Sequence, residues 1–283
     1  MTDVSGGRPP TDPSRPGAQA PLDAPLDRER LAARGIEVLD QTPSTNAVVA
    51  ERAREGAAEG LVVVTEHQTA GRGRLDRGWS TPPRSALPFS VLLRPSVEPA
   101  LWPWLPLLTG YAVVRTLVAA GYRARLKWPN DVLVDGRKVA GILVERVEGP
   151  AGPAAVVGIG LNVRLPADAL PVETATSLLV AADEPGQVPD RTDLLEDLVD
   201  TLVEGYDAWE AGGTAAQERL RASYTAACAT VGVRVRVALP DGTDLVGEAE
   251  GVDENGRLVV RSGGASHAVG AGDVVHVRPA GER

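Results

Sequence analysis

Residues 61–94 read LVVVTEHQTAGRGRLDRGWSTPPRSALPFSVLLR, and the reading of this stretch arranges the rest of the chain. Leu61–His67 is a short β-branched run of the kind that forms a buried strand, and Leu87–Arg94 reads as another. Between them, Gln68–Trp79 sets Arg72, Arg74 and Arg77 among Gly71, Gly73 and Gly78 and closes on the flat indole of Trp79. Glycine lets successive amide N–H groups converge on an anion, and arginine adds a planar fork that grips carboxylate or phosphate at two points. Taken alone, such a run is most often a solvated loop or a non-specific grip on nucleic acid. Hung from the end of a sheet, it lies where α/β folds place ligand sites. Its chemistry suits a ligand that is anionic and has a ring to stack on Trp79, as a nucleotide does.

The charge balance narrows the ligand class. Twenty-nine Lys and Arg stand against 38 Asp and Glu in 283 residues, a formal net charge of -9. A general nucleic-acid binder needs a basic face to neutralise phosphates, so the arginine run on an acidic protein favours a small anion over a polymer. Hydrophobic content of 43% and charged content of 24% are those of an ordinary soluble globular protein. No run approaches the ~18 apolar residues a membrane span needs, and Met1–Gly7 lacks the basic and apolar regions of a secretory signal. Cys228 is the single cysteine, so no internal disulfide forms, in keeping with a reducing cytoplasm.

Taken in order, residues 1–26 hold six prolines and three glycines and almost no large apolar side chain, which predicts a disordered extension. Arg28–Arg34 is predicted as a short helix and Ile36–Leu39 as the first strand. Ser44 or Thr45 caps a helix that stops at Gly56. Ser44-Thr45-Asn46 is either that cap alone or a turn that shows two hydroxyls and an amide to a polar heterocycle. Leu101–Pro106 leads into a buried apolar helix over Leu107–Ala120, with Trp102 and Trp104 as packing residues. Asp135-Gly136 between β-branched runs signals a hairpin, with Lys127, Asn130 and Asp131 on one arm and Lys138, Gly141 and Ile142 on the other. Trp128-Pro129 is expected to hold the backbone extended at its entry. An Asn-Asp turn with solvated lysines is the plain alternative.

A further strand, Ala154–Val163, is apolar except for Asn162. Thr192–Glu210 is an amphipathic helix capped by Thr192 or Asp193, and Thr214–Cys228 a less regular one. From Val231 the chain turns to short strands, Val233–Val237, Leu245–Gly251, Leu258–Arg261 and Val274–Arg278, which describe a small barrel. The division expected is a disordered extension over 1–26, a catalytic domain over 27–230 and a small β domain over 231–283.

Ser44–Asn46, Glu66–Arg74, Lys127–Asp131, Arg137–Ile142 and Gly158–Val163 resemble, in order and spacing, the motifs of the biotin protein ligases, and the tail resembles that family's SH3-like C-terminal domain. The resemblance implies an α/β (α+β) fold: a mixed-sheet catalytic domain related to class II aminoacyl-tRNA synthetases, followed by a small SH3-like β-barrel. It implies a cytoplasmic enzyme that uses ATP with Mg2+ to convert biotin to biotinyl-5'-AMP, then transfers biotin to a lysine on the biotin carboxyl carrier domain of a carboxylase. Ser44, Thr45, Asn46 and Gln68 would bind the ureido end of biotin. Gly71, Arg72, Gly73 and Arg74 would enclose its carboxylate and the adenylate phosphate. Lys138 would bridge the two in the first step, Gly141 and Ile142 would offer backbone to biotin, and Arg74, Trp79, Lys127, Asn130 and Asn162 would hold the nucleotide. Asp131 is the candidate for orienting the incoming lysine or the metal, whose other ligands the sequence leaves unknown.

Two departures carry expectations of their own. Relatives of this kind continue after Arg74 with basic or glycine residues, whereas Leu75-Asp76 follows here, which predicts looser adenylate retention. Residues 1–26 are too short and proline-rich for a helix-turn-helix, so neither sequence-specific DNA binding nor a membrane partner is expected, while a weak or ligand-linked homodimer is allowed. The alternatives are a lipoate or octanoate ligase or transferase of the same superfold, and a non-catalytic ligand-binding module.

Overall fold

Side-chain alternation decides what each face of the main sheet meets, and the computed structural model, which describes residues 24–74, 77–239, 241–270 and 272–276, shows the result. In chain order its elements are α1 (Arg28–Ala33), β1 (Ile36–Leu39), α2 (Thr45–Arg54), β2 (Val62–Thr65), β3 (Gly71–Arg72), β4 (Gly78–Trp79), β5 (Ala86–Leu93) and α3 (Trp104–Ala119). They continue with β6 (Ala124–Lys127), β7 (Asp131–Val134), β8 (Arg137–Val147), β9 (Ala154–Asn162), α4 (Leu178–Ala181), α5 (Arg191–Ala211) and α6 (Gly213–Ala227). The last five are β10 (Arg234–Ala238), β11 (Asp244–Val252), β12 (Leu258–Ser262), β13 (Ala265–Val269) and β14 (Asp273–His276).

Seven strands form one mixed sheet in the order β1-β2-β5-β9-β8-β7-β6. The β1–β2 pair is parallel and the others antiparallel. Leu87, Phe89, Val157, Ile159 and Ile142 face a core shared with α3 and α5. Leu92, Val147, Ala154 and Val156 face α2, which covers only one end of the opposite surface with Val49, Ala50 and Ala53. Beyond α2, the same surface runs on along β9 through Gly158, Gly160 and Asn162 and along β8 through Gly141. Bare backbone where a helix stops leaves room for a ligand.

Ser44 accepts the amide of Ala47 as N-cap of α2, and Gly56 follows the helix at a φ of 95°. Asp135 and Gly136 take φ values of 49° and 77°, the turn that their pairing predicts between β7 and β8. The expected arms differ in detail: Lys127 ends a separate strand, β6, and Trp128–Asn130 is a tight turn rather than an extended entry, its Trp128-Pro129 peptide being cis. The apolar helix α3 starts at Trp104, so the Leu101–Pro106 lead-in is partly helical. Asp190, not Thr192 or Asp193, caps α5, because its carboxylate accepts both of their amides.

The last five strands form a separate antiparallel sheet in the order β13-β12-β11-β10-β14. Its β13 was not predicted from the sequence, since four of its five residues are exposed and carry no alternation to read. Residues 1–23, most of the predicted extension, and Leu75-Asp76, with the prediction made for them, lie outside the described residues. Leu26 is already buried, its amide donating to Glu66. Among the described residues no helix is long and apolar enough to cross a membrane.

Candidate active site

The uncovered part of the sheet floors a cavity of about 500 Å³. The N-terminus of α2 closes one end, the basic stretch roofs it, and the Trp128–Asp131 turn, Lys138 and residues 171–175 form the far wall. Asp273 and Val274 of β14 reach its rim from the C-terminal sheet. The predicted Arg/Gly loop is a miniature hairpin: β3 pairs with β4, and the Gly73 amide donates to Arg77 O at 2.7 Å.

At the α2 end the polar groups form one buried network. Gln68 Oε1 accepts from Thr45 N at 3.0 Å and from Thr45 Oγ1 at 3.3 Å. Ser90 Oγ lies 2.7 Å from Thr45 Oγ1 and 2.6 Å from Asn46 Oδ1, while Asn46 Nδ2 donates to Glu145 at 2.7 Å. A Cβ at Gly158 would stand 2.0 Å from Asn46 Oδ1, so only glycine lets the amide reach this position. A donor and acceptor set fixed this tightly is pre-organised for a polar heterocycle.

Arg74, Lys127 and Lys138 gather at the Trp128–Asp131 wall, while Arg72 reaches back to the Glu145 carboxylate that Asn46 also engages. Arg72 Nη2 lies 3.2 Å from Glu145, and the side chain is half exposed. Arg74 Nη1 donates to Asn130 Oδ1 at 3.1 Å. Its burial lowers the guanidinium's pKa, opposed by the charges of Asp273 and Asp131, so part of the cost of hiding this charge is met by two carboxylates. Lys138 Nζ lies 2.6 Å from Asp131 and 5.6 Å from the centroid of the Trp79 ring. Lys127 lines the cavity beside them. Among the described residues, five cations line it against the two carboxylates of Asp131 and Asp273, a surplus that favours anions.

Trp79 lies flat across the cross-strand pair Gly141 and Gly160. A Cβ at Gly160 would come within 2.6 Å of the indole, so the bare strand is what admits the ring. The indole Nε1 and the nearby Asn162 Oδ1 are both buried without a hydrogen-bond partner. Asn162 Nδ2 is spent on Thr176 O at 2.9 Å. Unpaired buried polar atoms are costly, and a pair of them in a cavity marks where a ligand would bond.

Every predicted site residue except Gly71 lines this one cavity. Gly71 sits at the base of the hairpin, opposite Trp79. Ile142 contributes backbone only: its side chain is in the core on the other face, and its N–H and C=O are both engaged by Asn130. Sequence reading missed Ser90, Glu145 and Asp273. Ser90 carried a signal, as a polar residue in the apolar run of β5. Among the described residues no cluster of His, Cys, Asp and Glu could hold a metal ion by itself.

Residues 38–162 match the biotin/lipoate A/B protein ligase family, and residues 230–277 match the biotin protein ligase C-terminal domain. The chain is 42% identical over 273 residues to the biotin--[acetyl-CoA-carboxylase] ligase of Mycobacterium tuberculosis, a match spanning 91% of this chain and 97% of that one. It is 33% identical over 243 residues to the enzyme of the same name from Paracoccus denitrificans, spanning 84% and 98% of the two chains. In three dimensions it resembles the biotin protein ligase of Aquifex aeolicus solved with biotin and ATP, with a TM-score of 0.72, 26% identity, and 87% and 100% of the two chains covered.

Proposed function

The chain belongs to the biotin/lipoate A/B protein ligase family, and we propose that within it the protein is a biotin protein ligase that forms biotinyl-5'-AMP and hands the biotinyl group to a lysine on a carrier domain. The observation that carries this reading is the polarity of this cavity, with a hydrogen-bonding network of Thr45, Asn46, Gln68 and Ser90 at the α2 end and Arg74, Lys127 and Lys138 clustered at the Trp128–Asp131 wall. Biotin has the same polarity, a ureido ring at one end and a carboxylate at the other.

Thr45, Asn46 and Gln68 then receive the ureido group, with Ser44 capping the turn that presents them and the backbone of Gly141 and Ile142 flooring the cavity under biotin. Arg72, Gly73 and Arg74, on the hairpin that Gly71 bases, face the carboxylate and the α-phosphate. A carboxylate oxygen attacks the α-phosphorus, the bond to the β-phosphate oxygen breaks, and pyrophosphate leaves. Two anions must meet in this step, so fixed positive charge is the main requirement, and Lys138 lies beside the meeting point. In the second step a carrier lysine attacks the acyl carbon, AMP leaves, and the amine's surplus proton is lost. Asp131 is the carboxylate nearest that exchange. Trp79, Lys127, Asn130 and Asn162 hold the nucleotide, the unpaired Asn162 Oδ1 accepting from its base.

Mg2+ brought with the nucleotide would neutralise phosphate charge, and Asp131 is the cavity carboxylate that would help to hold it. The reading includes a catalytic domain over 27–230 and an SH3-like domain over 231–283, a cytoplasmic location, a carboxylase carrier as the second substrate, no sequence-specific DNA binding, and at most a ligand-linked homodimer. Purified protein incubated with biotin, ATP, Mg2+ and a carrier domain is expected to release pyrophosphate and add one biotinyl mass to a carrier lysine. Release with lipoate in place of biotin, or no release with either, would overturn it.

A further inference from the structure

The basic hairpin is touched by a residue some two hundred positions away. Arg77 directs Nη1 and Nη2 to the two oxygens of Asp273, the paired geometry that a guanidinium and a carboxylate form best. Arg77 is on the hairpin, between β3 and β4, whereas Asp273 opens β14 of the C-terminal sheet.

The two partners stand on elements with different backbone support. Asp273 is fixed by its ladder with β10, where it pairs with Ala238, and the C-terminal sheet is itself held to the catalytic domain. Trp104 Nε1 donates to Glu254 O at 2.8 Å and Trp128 Nε1 to Gly256 O at 3.0 Å. The hairpin has two-residue arms and little ladder of its own. A carboxylate on a strand with a four-residue ladder can therefore restrain an arginine on a hairpin with a two-residue one, once both side chains are ordered. Asp273 also lies close enough to Arg74 to oppose its desolvation.

We propose that Asp273 is a positioning residue of the pocket: its carboxylate holds Arg77 and thereby sets the β3–β4 arms, and with them Arg72, Arg74 and Trp79, over the glycine floor. The C-terminal sheet is then part of the site. The ligand chemistry here rests on the function proposed above, while the restraint itself does not.

The test uses the full chain with Asp273→Asn, Arg77→Gln, and the exchanged pair Asp273→Arg with Arg77→Asp. Amide hydrogen exchange over residues 71–79 is read without ligand, and release of preformed biotinyl-5'-AMP is read separately. Each single variant is expected to speed both by about two- to five-fold, the range of an exposed ion pair, and the exchanged pair to return toward the parent. Unchanged exchange in the single variants, or an exchanged pair no better than they are, overturns the proposal. If Asp273→Asn also loosens residues 234–238, Arg77→Gln, which leaves the C-terminal sheet untouched, decides. A protein that forms no adenylate would remove the functional reading, and the ligand-free exchange would still decide the restraint.

Discussion

Lys138 is the single charge on which the proposed chemistry rests most. Its ammonium sits between Asp131 and the face of Trp79, its side chain is a third exposed, and its backbone N–H and C=O are bonded to Thr174 and Thr176. Lys138→Ala keeps those backbone bonds, so the expected change in unfolding free energy is only about 0.5 kcal/mol. Loss of a cation aimed at developing charge is expected to slow biotin-dependent pyrophosphate release by about 10²- to 10³-fold. A melt combined with a release assay checks both; near-normal turnover would remove Lys138 from the reaction. At this scale the cations were legible in the sequence and their partners were not. Arg72 meets Glu145 across 73 positions and Arg77 meets Asp273 across 196, and nothing local to an arginine announces a carboxylate so far along the chain.

Elements were legible where a turn or cap forces the backbone. The Asp135-Gly136 turn predicted the β7–β8 hairpin, and a cap at Ser44 or Thr45, which proves to be Ser44, the start of α2. The weak hairpin of β3 and β4 was not, because two-residue arms show no period. Nor did the sequence predict how the elements are joined beneath the site. Glu66, just after β2, and Arg191, the first residue of α5, form a fully buried pair at 2.6 Å; Arg191 also donates to Ala24 O and Ala86 O, and Glu66 accepts from Leu26 N. Breaking a buried pair strands one charge, whereas replacing both partners with apolar side chains does not. Glu66→Ala is therefore expected to cost about 3–5 kcal/mol in denaturant unfolding, and Glu66→Leu combined with Arg191→Met to recover most of it. A double variant as unstable as the single one would show that the pair contributes more than compensation of its own charges.

Across the whole molecule, the seven-stranded sheet and the C-terminal sheet meet at Trp128, beside the wall of the cavity. Its backbone N–H donates to Thr230 Oγ1 at 3.1 Å, and Thr230 Oγ1 lies 3.1 Å from His276 Nε2 at the end of β14. A hydroxyl has two acceptor lone pairs and one hydrogen, so after accepting from Trp128 it can still donate to His276 Nε2, a bond that only the neutral imidazole with its proton on Nδ1 can receive. Burial, and secondarily the charge of Lys127, push the His276 pKa below its usual value of 6.5, in agreement with that arrangement. A base whose pKa is depressed by folding binds fewer protons in the native state than in the unfolded one, so its contribution is present above pH 6.5 and is lost as pH falls below that value toward the native pKa. Acid therefore works at the seam that brings Asp273 and Val274 to the cavity. The melting temperature is expected to fall between pH 7.5 and pH 5.5 more steeply in the parent than in His276→Gln, whose amide oxygen accepts from Thr230 without titrating. Equal slopes in the two proteins would show that the acid sensitivity arises elsewhere.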